Sequence, residues 1–163
     1  MSKRHTTTLL YLCVATCLAV LLTACDSQTV YDHYEQTPVS GWEKNDTLVF
    51  ETDPIAQGGR YKVEVGLRIK GNYPFLGLNL LVDQTILPSH EKHSSTLSCQ
   101  LIDKQGYAKG RGVSHFQYLF HLTTLDLKRG ERLHVAIRHG MKREILPGIT
   151  DIGLRLQKVP KQH

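Results

Sequence analysis

The chain has 163 residues, of which 40% are hydrophobic, and a formal net charge of +5. This length suits one domain with a hydrophobic core, and no second domain is required. The positive charge is spread thinly, without long runs of like charge, which argues against nucleic acid as a partner.

Residues 1–24 have the features of an export signal. Lys3 and Arg4 precede a long uncharged stretch that ends in Leu22-Thr23-Ala24-Cys25. A Leu-small-small-Cys end is typical of bacterial lipoprotein signals, which are cut before the cysteine. We therefore expect lipidation of Cys25, and two or three acyl chains anchor a protein stably. An uncleaved membrane helix or an ordinary secretory signal fits less well, because the stretch is at the short end of the ~20 residues that a span requires.

Cleavage before Cys25 leaves a single free thiol. Cys13 and Cys17 are removed with the signal and Cys25 carries lipid, so Cys99 has no intramolecular disulfide partner. Cys99 shares a strand face with Leu97 and Leu101, which predicts a buried, inert thiol rather than a link to another chain. Loss of Lys3 and Arg4 lowers the net charge from +5 to +3.

Residues 25–40 are polar with scattered aromatics, which indicates a tether ahead of a domain spanning 41–160. Val30, Tyr31 and Tyr34 are the tether residues that could pack on the domain. Thr47 lies in Asp46-Thr47-Leu48, a short pattern that resembles O-glycosylation sites of some exported proteins, although Thr47 also suits a strand.

Alternation of apolar and polar residues is the dominant pattern of the domain. It is clearest over Tyr61–Lys70, where it predicts a strand with one buried and one solvated face. The same period indicates further strands with inward residues Phe116, Tyr118, Phe120 and Leu122, then Leu133, Val135 and Ile137, then Ile152, Leu154 and Leu156, and shorter strands over 47–52, 78–84 and 97–102.

Turn signals separate these strands, and no stretch has a convincing helical period. Examples are Asp103-Lys104-Gln105-Gly106 and Lys128-Arg129-Gly130. The pattern predicts an all-β fold, a single antiparallel β-sandwich of about seven to nine strands, immunoglobulin-like or jelly-roll-like. An open barrel is the main alternative.

Histidines are the main candidates for chemistry, and their arrangement does not favour an enzyme. His90-Glu91-Lys92-His93 lies in a polar segment after Pro88 and lacks the HExxH zinc spacing. The outward-facing His115, His121 and His134 converge if their strands pair, but no carboxylate on those faces would orient an imidazole as a general base. Ser114 beside His115 lacks a GxSxG elbow. We therefore expect no catalytic residues, no bound metal and no cofactor.

Three aromatic residues lie outside the clearest strands: Trp42, Tyr73 and Phe75. Exposed, they would form a candidate interaction surface for a glycan or a partner protein. Buried, they would cap the ends of the core. The sequence leaves both alternatives open.

Several short motifs, taken in order from Cys25 to about Lys158, resemble the gliding motility-associated lipoprotein GldH family. The most specific of these motifs is the last. The motifs are Cys25-Asp26-Ser27, Asp32-x-Tyr34, Gly41-Trp42-x-Lys44-x-Asp46, Asn72-Tyr73-Pro74-Phe75 before Leu78-Asn79-Leu80, Asp103-x-x-Gly106, Gly110-x-Gly112, and Gly140-Met141-Lys142-Arg143-x-x-Leu146-x-Gly148-Ile149-x-Asp151-Ile152-Gly153-Leu154-Arg155-Leu156.

The physical interpretation of the last motif is a polar turn followed by a closing strand, which holds that strand in register. Gly153 within the strand predicts close approach of another backbone. The resemblance implies an accessory, non-enzymatic lipoprotein of the gliding machinery, which is linked to the type IX secretion apparatus. It implies membrane lipid and other envelope proteins as partners, and we expect the outer membrane with the domain facing the periplasm. The main alternative is a glycan- or nutrient-binding envelope lipoprotein.

Overall fold

The computed structural model describes residues 28–160, which fold into β-strands without a helix. Within this range no helix is long and apolar enough to span a membrane. The predicted signal peptide and Cys25 lie outside the described residues. The strands are β1 (Thr29–Gln36), β2 (Trp42–Glu43), β3 (Leu48–Glu51), β4 (Gly59–Lys70), β5 (Gly77–Leu87), β6 (Glu91–Gln100), β7 (Arg111–Gly112), β8 (His115–Leu127), β9 (Arg132–His139), β10 (Ile145–Leu146) and β11 (Ile149–Lys158).

The strands form two antiparallel sheets, which confirms the predicted all-β sandwich. One sheet has the order β1-β11-β4-β8-β7 and the other β3-β9-β5-β6, while β2 and β10 form a small separate pair. Eight of the strands have four or more residues, within the expected number.

The core lies between the two sheets and follows the alternation read from the sequence. In β4, Val63, Val65 and Leu67 are fully buried, while Lys62 and Arg68 point to the outer face. Fully buried aliphatic residues of β9 and β11 meet them from the other strands, among them Leu133, Val135, Ile137, Ile152 and Leu156. Burial of this apolar surface is the main force that stabilises the fold.

Part of the expected tether belongs to the domain. Residues 29–36 form β1, the edge strand that pairs with β11 from Thr29 to Gln36. Tyr31 packs against the core from this strand, while Asp32 lies on the outer face beside Arg155. An edge strand leaves much of each side chain in solvent, so its sequence is as polar as that of a linker. Residues 29–36, expected in the tether, therefore form a strand of the five-stranded sheet.

Strand β6 also begins earlier than the sequence indicated. Glu91, Lys92 and His93, expected in a loop, pair with Ile86, Thr85 and Gln84 of β5. The turn before them is short and includes His90, whose φ is +60°. Because β6 is an edge strand with polar exposed side chains, its first half has no apolar alternation to reveal it.

The sandwich has two ends that are distinguished by the direction of β1. The proximal end is where β1 begins, beside Lys158, whose amide donates to Gln28 O at 2.7 Å. The distal end is where β4 finishes at Lys70, whose amide donates to Gly148 O at 2.8 Å. Trp42, Tyr73 and Phe75 all belong to the distal end.

A candidate interaction surface at the distal end

Trp42 and Tyr73 cap the core at the distal end and are not exposed. Trp42 has no accessible surface, and its indole N–H donates to Asp46 O at 3.0 Å. Tyr73 is 4% exposed, and its hydroxyl donates to Gly77 O at 3.1 Å. Of the two alternatives, these two residues take the packing role. A glycan platform would need their ring faces, which are covered.

Phe75 is the aromatic candidate that reaches the surface. Its ring is half-buried and stands edge-on to Tyr73, with the ring centroids 5.6 Å apart. On its exposed side it lines a shallow cavity of about 540 Å³ together with Asn79 and the segment Gly140–Arg143. We call these residues the distal groove.

Met141, Lys142 and Arg143 are the groove residues that sequence reasoning missed as a surface. They lie in the connection between β9 and β10, which Gly140 begins by donating its amide to Asn79 O at 2.7 Å. Met141 packs partly on the core, while Lys142 and Arg143 are exposed. The sequence pattern that could have indicated this surface is a methionine followed by two cations in a polar turn.

Two further contacts hold the groove in place. Arg143 Nε donates to Ile145 O at 3.0 Å, next to the short β2–β10 pair. Gly148 has φ +83°, and a Cβ at this position would lie 3.2 Å from Tyr73 Cα. The closing motif therefore lines the groove with Gly140–Arg143 and packs Gly148 against Tyr73, the aromatic neighbour of Phe75.

Exposed apolar side chains flank the groove. Leu76, next to Phe75 in the chain, is 66% exposed, and Ile145, two residues after Arg143, is 46% exposed. The distal end thus combines Phe75, Leu76, Met141 and Ile145 with two cations. Such a mixture of apolar and cationic groups suits a contact with a protein segment that carries carboxylates beside an apolar anchor.

His139 is buried beneath this surface. Its ring meets the edge of Trp42 at 5.4 Å, and its Nε2 lies 3.1 Å from Trp42 O. Burial is the main cause that lowers the pKa of His139, and two backbone carbonyls, those of Trp42 and Glu144, oppose it. The neutral imidazole donates its Nε2 proton to Trp42 O.

The histidines considered for chemistry do not converge. His115 and His121 belong to β8 in the five-stranded sheet, whereas His134 belongs to β9 in the four-stranded sheet. His93 contacts Glu91 at 3.0 Å on the surface. Among residues 28–160, no group of three or more metal-ligating side chains lies close enough together to hold an ion.

Ser114 and His115 form a contact that sequence reasoning did not expect. Ser114 Oγ lies 3.2 Å from His115 Nδ1 at the exposed start of β8. The described part of the chain gives His115 no carboxylate contact that would orient it as a base. The pair therefore has no third group of a catalytic triad.

Cys99 is buried and free, as predicted. It is 2% exposed, and burial raises the pKa of its thiol to about 12. A thiol with so high a pKa is almost entirely protonated at neutral pH and reacts slowly. Thr47, by contrast, is exposed immediately before β3.

Gly153 makes room for a side chain, and the expectation of a close backbone was wrong. Tyr34 of β1 lies across Gly153 and Gly66 on the outer face of the five-stranded sheet. A Cβ on Gly153 would lie 2.6 Å from Tyr34 Cε1, and one on Gly66 would lie 2.6 Å from Tyr34 Cζ. Arg68 covers the ring at 4.1 Å from its centroid, and Gln117 Nε2 donates to the hydroxyl at 3.2 Å.

Comparison with known proteins identifies relatives over most of the chain. The chain is 31% identical over 147 residues to the gliding motility lipoprotein GldH of Flavobacterium johnsoniae, covering 86% of this chain and 91% of that protein. It is 26% identical over 148 residues to a gliding motility lipoprotein GldH homolog of Christiangramia forsetii, covering 85% and 90%.

Solved structures resemble this chain weakly. A family GH115 4-O-methyl-alpha-glucuronidase aligns with a TM-score of 0.48 and 15% identity, over 83% of this chain and 18% of that protein. That likeness carries no functional argument.

The family model described as GldH lipoprotein matches residues 29–156, from the first residue of β1 almost to the end of β11. The chain belongs to the GldH lipoprotein family.

Proposed function

We infer that this protein is a membrane-anchored, non-enzymatic lipoprotein of the cell envelope that serves the gliding motility or type IX secretion machinery by contacts with other envelope proteins. The names of its relatives support the association with motility. The observation that carries the contact mechanism is the distal groove, where an exposed apolar surface and two cations lie together.

The anchor in this proposal is acylated Cys25, with the outer membrane as the destination and the domain facing the periplasm. The signal pattern ending at Cys25 supports the lipidation. Cys25→Ala abolishes incorporation of labelled fatty acid and leaves an unlipidated or poorly processed protein. Unchanged labelling of that variant would refute the assignment, and protease accessibility on intact cells tests which way the domain faces.

The distal groove supplies the partner contact. Phe75 and Met141 offer apolar surface that is already held by packing, so a partner loses little conformational entropy by ordering it. Lys142 and Arg143 at the rim favour a partner segment with carboxylates and raise its association rate. An apolar anchor between acidic side chains is the partner chemistry that this arrangement fits.

Crosslinking in the producing cells tests the groove. The wild-type lipoprotein, after mild crosslinking, is expected to recover subunits of the motility or secretion machinery. The variant Lys142→Glu with Arg143→Glu should lose most of that recovery. The matched control is Lys128→Glu with Arg129→Glu, which makes the same charge change at the proximal end and should recover the same subunits as the wild type.

The possible results test the groove as a contact surface separately from the proposed function. Equal recovery with both double variants would reject the groove as the contact surface. Recovery of the lipoprotein alone, together with unimpaired gliding and secretion in a deletion strain, would reject the proposed function altogether.

A further inference from the structure

The sandwich has an unprotected sheet edge along β8. The two sheets end in four edges, at β1, at β7 with β8, at β3 and at β6. Strand β7 pairs with β8 only at Phe116 and Gln117. No other strand in residues 28–160 pairs with that edge of β8, from Tyr118 onwards. Unpaired edges present backbone N–H and C=O groups that another strand can bind.

The other edges carry features that natural proteins use to discourage pairing. Strand β1 includes Asp32 and Glu35, β3 has only four residues, and β6 begins with Glu91 and Lys92. On β8 the stretch Tyr118–His121 has no lysine, proline or carboxylate. It ends where the register shifts opposite Val63 and Glu64 of β4. Charge and shortness therefore protect β1, β3 and the start of β6, whereas β6 after Lys92 and this stretch of β8 carry no such feature.

A cavity with a one-sided charge borders this stretch. Its volume is about 920 Å³, and its lining includes the cations Lys109 and Arg111 and no carboxylate, while a third cation of the lining, Arg155, pairs with Asp32. Arg111 is exposed in β7, and Lys109 Nζ donates to Gln100 Oε1 at 2.8 Å. Leu119, 41% exposed, supplies apolar surface in the same cavity. A strand added along this edge would contact the apolar surface of Leu119 and lie close to the cations Lys109 and Arg111.

We propose that the β8 edge over Tyr118–His121 binds an extended, acidic segment of a partner protein as an added strand next to β7. Backbone hydrogen bonds to β8 supply the affinity, as in other cases of strand addition. Carboxylates on the segment meet Lys109 and Arg111, which select acidic over basic sequences. This surface is separate from the distal groove, so the proposal does not depend on the groove binding a partner.

A synthetic probe tests the proposal directly. The probe is a short acetylated and amidated peptide that alternates valine or threonine with glutamate, labelled for fluorescence polarisation. We expect saturable binding to the purified domain and slowed hydrogen exchange of backbone amides within 118–121. The same peptide with lysine in place of glutamate is expected to bind at least about tenfold more weakly.

Two changes separate strand addition from simple charge attraction. N-methylation of alternate peptide amides removes hydrogen-bond donors but keeps every carboxylate, and is expected to abolish binding. Lys109→Glu with Arg111→Glu should weaken binding by about tenfold or more. Lys128→Glu with Arg129→Glu, the same charge change at the exposed proximal end, should leave binding unchanged.

Several results would overturn the proposal. One is that the acidic peptide does not bind, and another is that its N-methylated form binds equally well. A third is that the peptide slows hydrogen exchange only at amides that lie outside β8. A concentration-dependent dimer that protects the same amides would assign the edge to a second copy of the chain instead. Far-ultraviolet circular dichroism and the thermal midpoint of each variant confirm that the compared proteins are folded.

Discussion

Tyr34 depends on two glycines in neighbouring strands. Its ring lies on Gly153 of β11 and Gly66 of β4, positions where any side chain would occupy the same space. Arg68 then stacks on the other side of the ring. Interior glycines weaken strands because they have no side chain to pack, and here the aromatic ring replaces that missing packing, as in designed sheets where aromatics compensate glycines.

Gly66→Ala is expected to destabilise the domain because the new Cβ displaces the Tyr34 ring. The cost should be about 1–3 kcal/mol, the usual range for overpacking. In a Tyr34→Ala background the same change should be neutral or stabilising by up to about 1 kcal/mol. Urea unfolding of the four proteins measures this cycle. Gly58→Ala, where a Cβ meets nothing closer than 3.4 Å, is the control and should be tolerated. Equal costs in both backgrounds would show that the ring is not the obstacle.

His139 makes stability depend on pH. Burial lowers its pKa in the folded state below the value of about 6.5 in the unfolded chain. On acidification the unfolded state therefore takes up a proton before the folded state does. The contribution of neutral His139 to the free energy of unfolding is complete above about pH 6.5 and is lost as the pH falls below that value.

The measurement is the urea midpoint between about pH 8 and pH 5. It should fall on acidification, and His139→Gln should reduce the size of that fall. His121→Gln alters an exposed histidine and should keep the wild-type pH dependence. If both variants behave like the wild type, His139 is not the group responsible.

At the scale of elements, the strands with two distinct faces were predictable and the edge strands were not. β4 and β9 have one buried and one outward face, so their alternation is visible in the sequence. β1 and the first half of β6 lie at edges, where side chains of either face are polar, and no local pattern separates them from a linker. Of the distal groove, Phe75 could be predicted because it is an aromatic residue outside the clearest strands. Met141 to Arg143 could not, because they join the same surface only through the contact of Gly140 with Asn79, which is distant in sequence.

The role of β1 as a structural strand can be tested with a pair of neighbouring residues. Tyr31 packs on the core, while Val30 is 48% exposed at the irregularity between Thr29 and Tyr31. Tyr31→Ala should lower the free energy of unfolding by about 1–3 kcal/mol, and Val30→Ala by less than about 0.5 kcal/mol. Chemical denaturation measures both free energies. If residues 29–36 were a flexible tether, neither substitution would change the free energy of unfolding, and that result would contradict the assignment of β1 to the domain.

At the scale of the whole molecule, the start of β1 and the distal groove lie at opposite ends of the sandwich. Eight residues of β1 at about 3.3 Å each separate them by roughly 25 Å. If Cys25 carries the lipid, the three residue-to-residue steps from Cys25 to Gln28 can span at most about 10 Å. In that case we expect the proximal end to stay close to the membrane and the groove to point away from it, towards other envelope components.

Energy transfer to labelled lipids tests this orientation in vesicles that carry the full lipoprotein. Cys99 is buried and Cys25 is blocked by acylation in the proposed form, so one introduced cysteine takes the donor dye. Ser40→Cys marks the distal end and Lys128→Cys the proximal end, both at exposed positions. Transfer to headgroup acceptors should be clearly stronger from residue 128 than from residue 40, because transfer falls steeply over a difference of roughly 25 Å. Equal transfer from the two sites would mean that the sandwich lies along the membrane, which would bring the groove to the lipid surface and remove the reason for placing its partners beyond the domain.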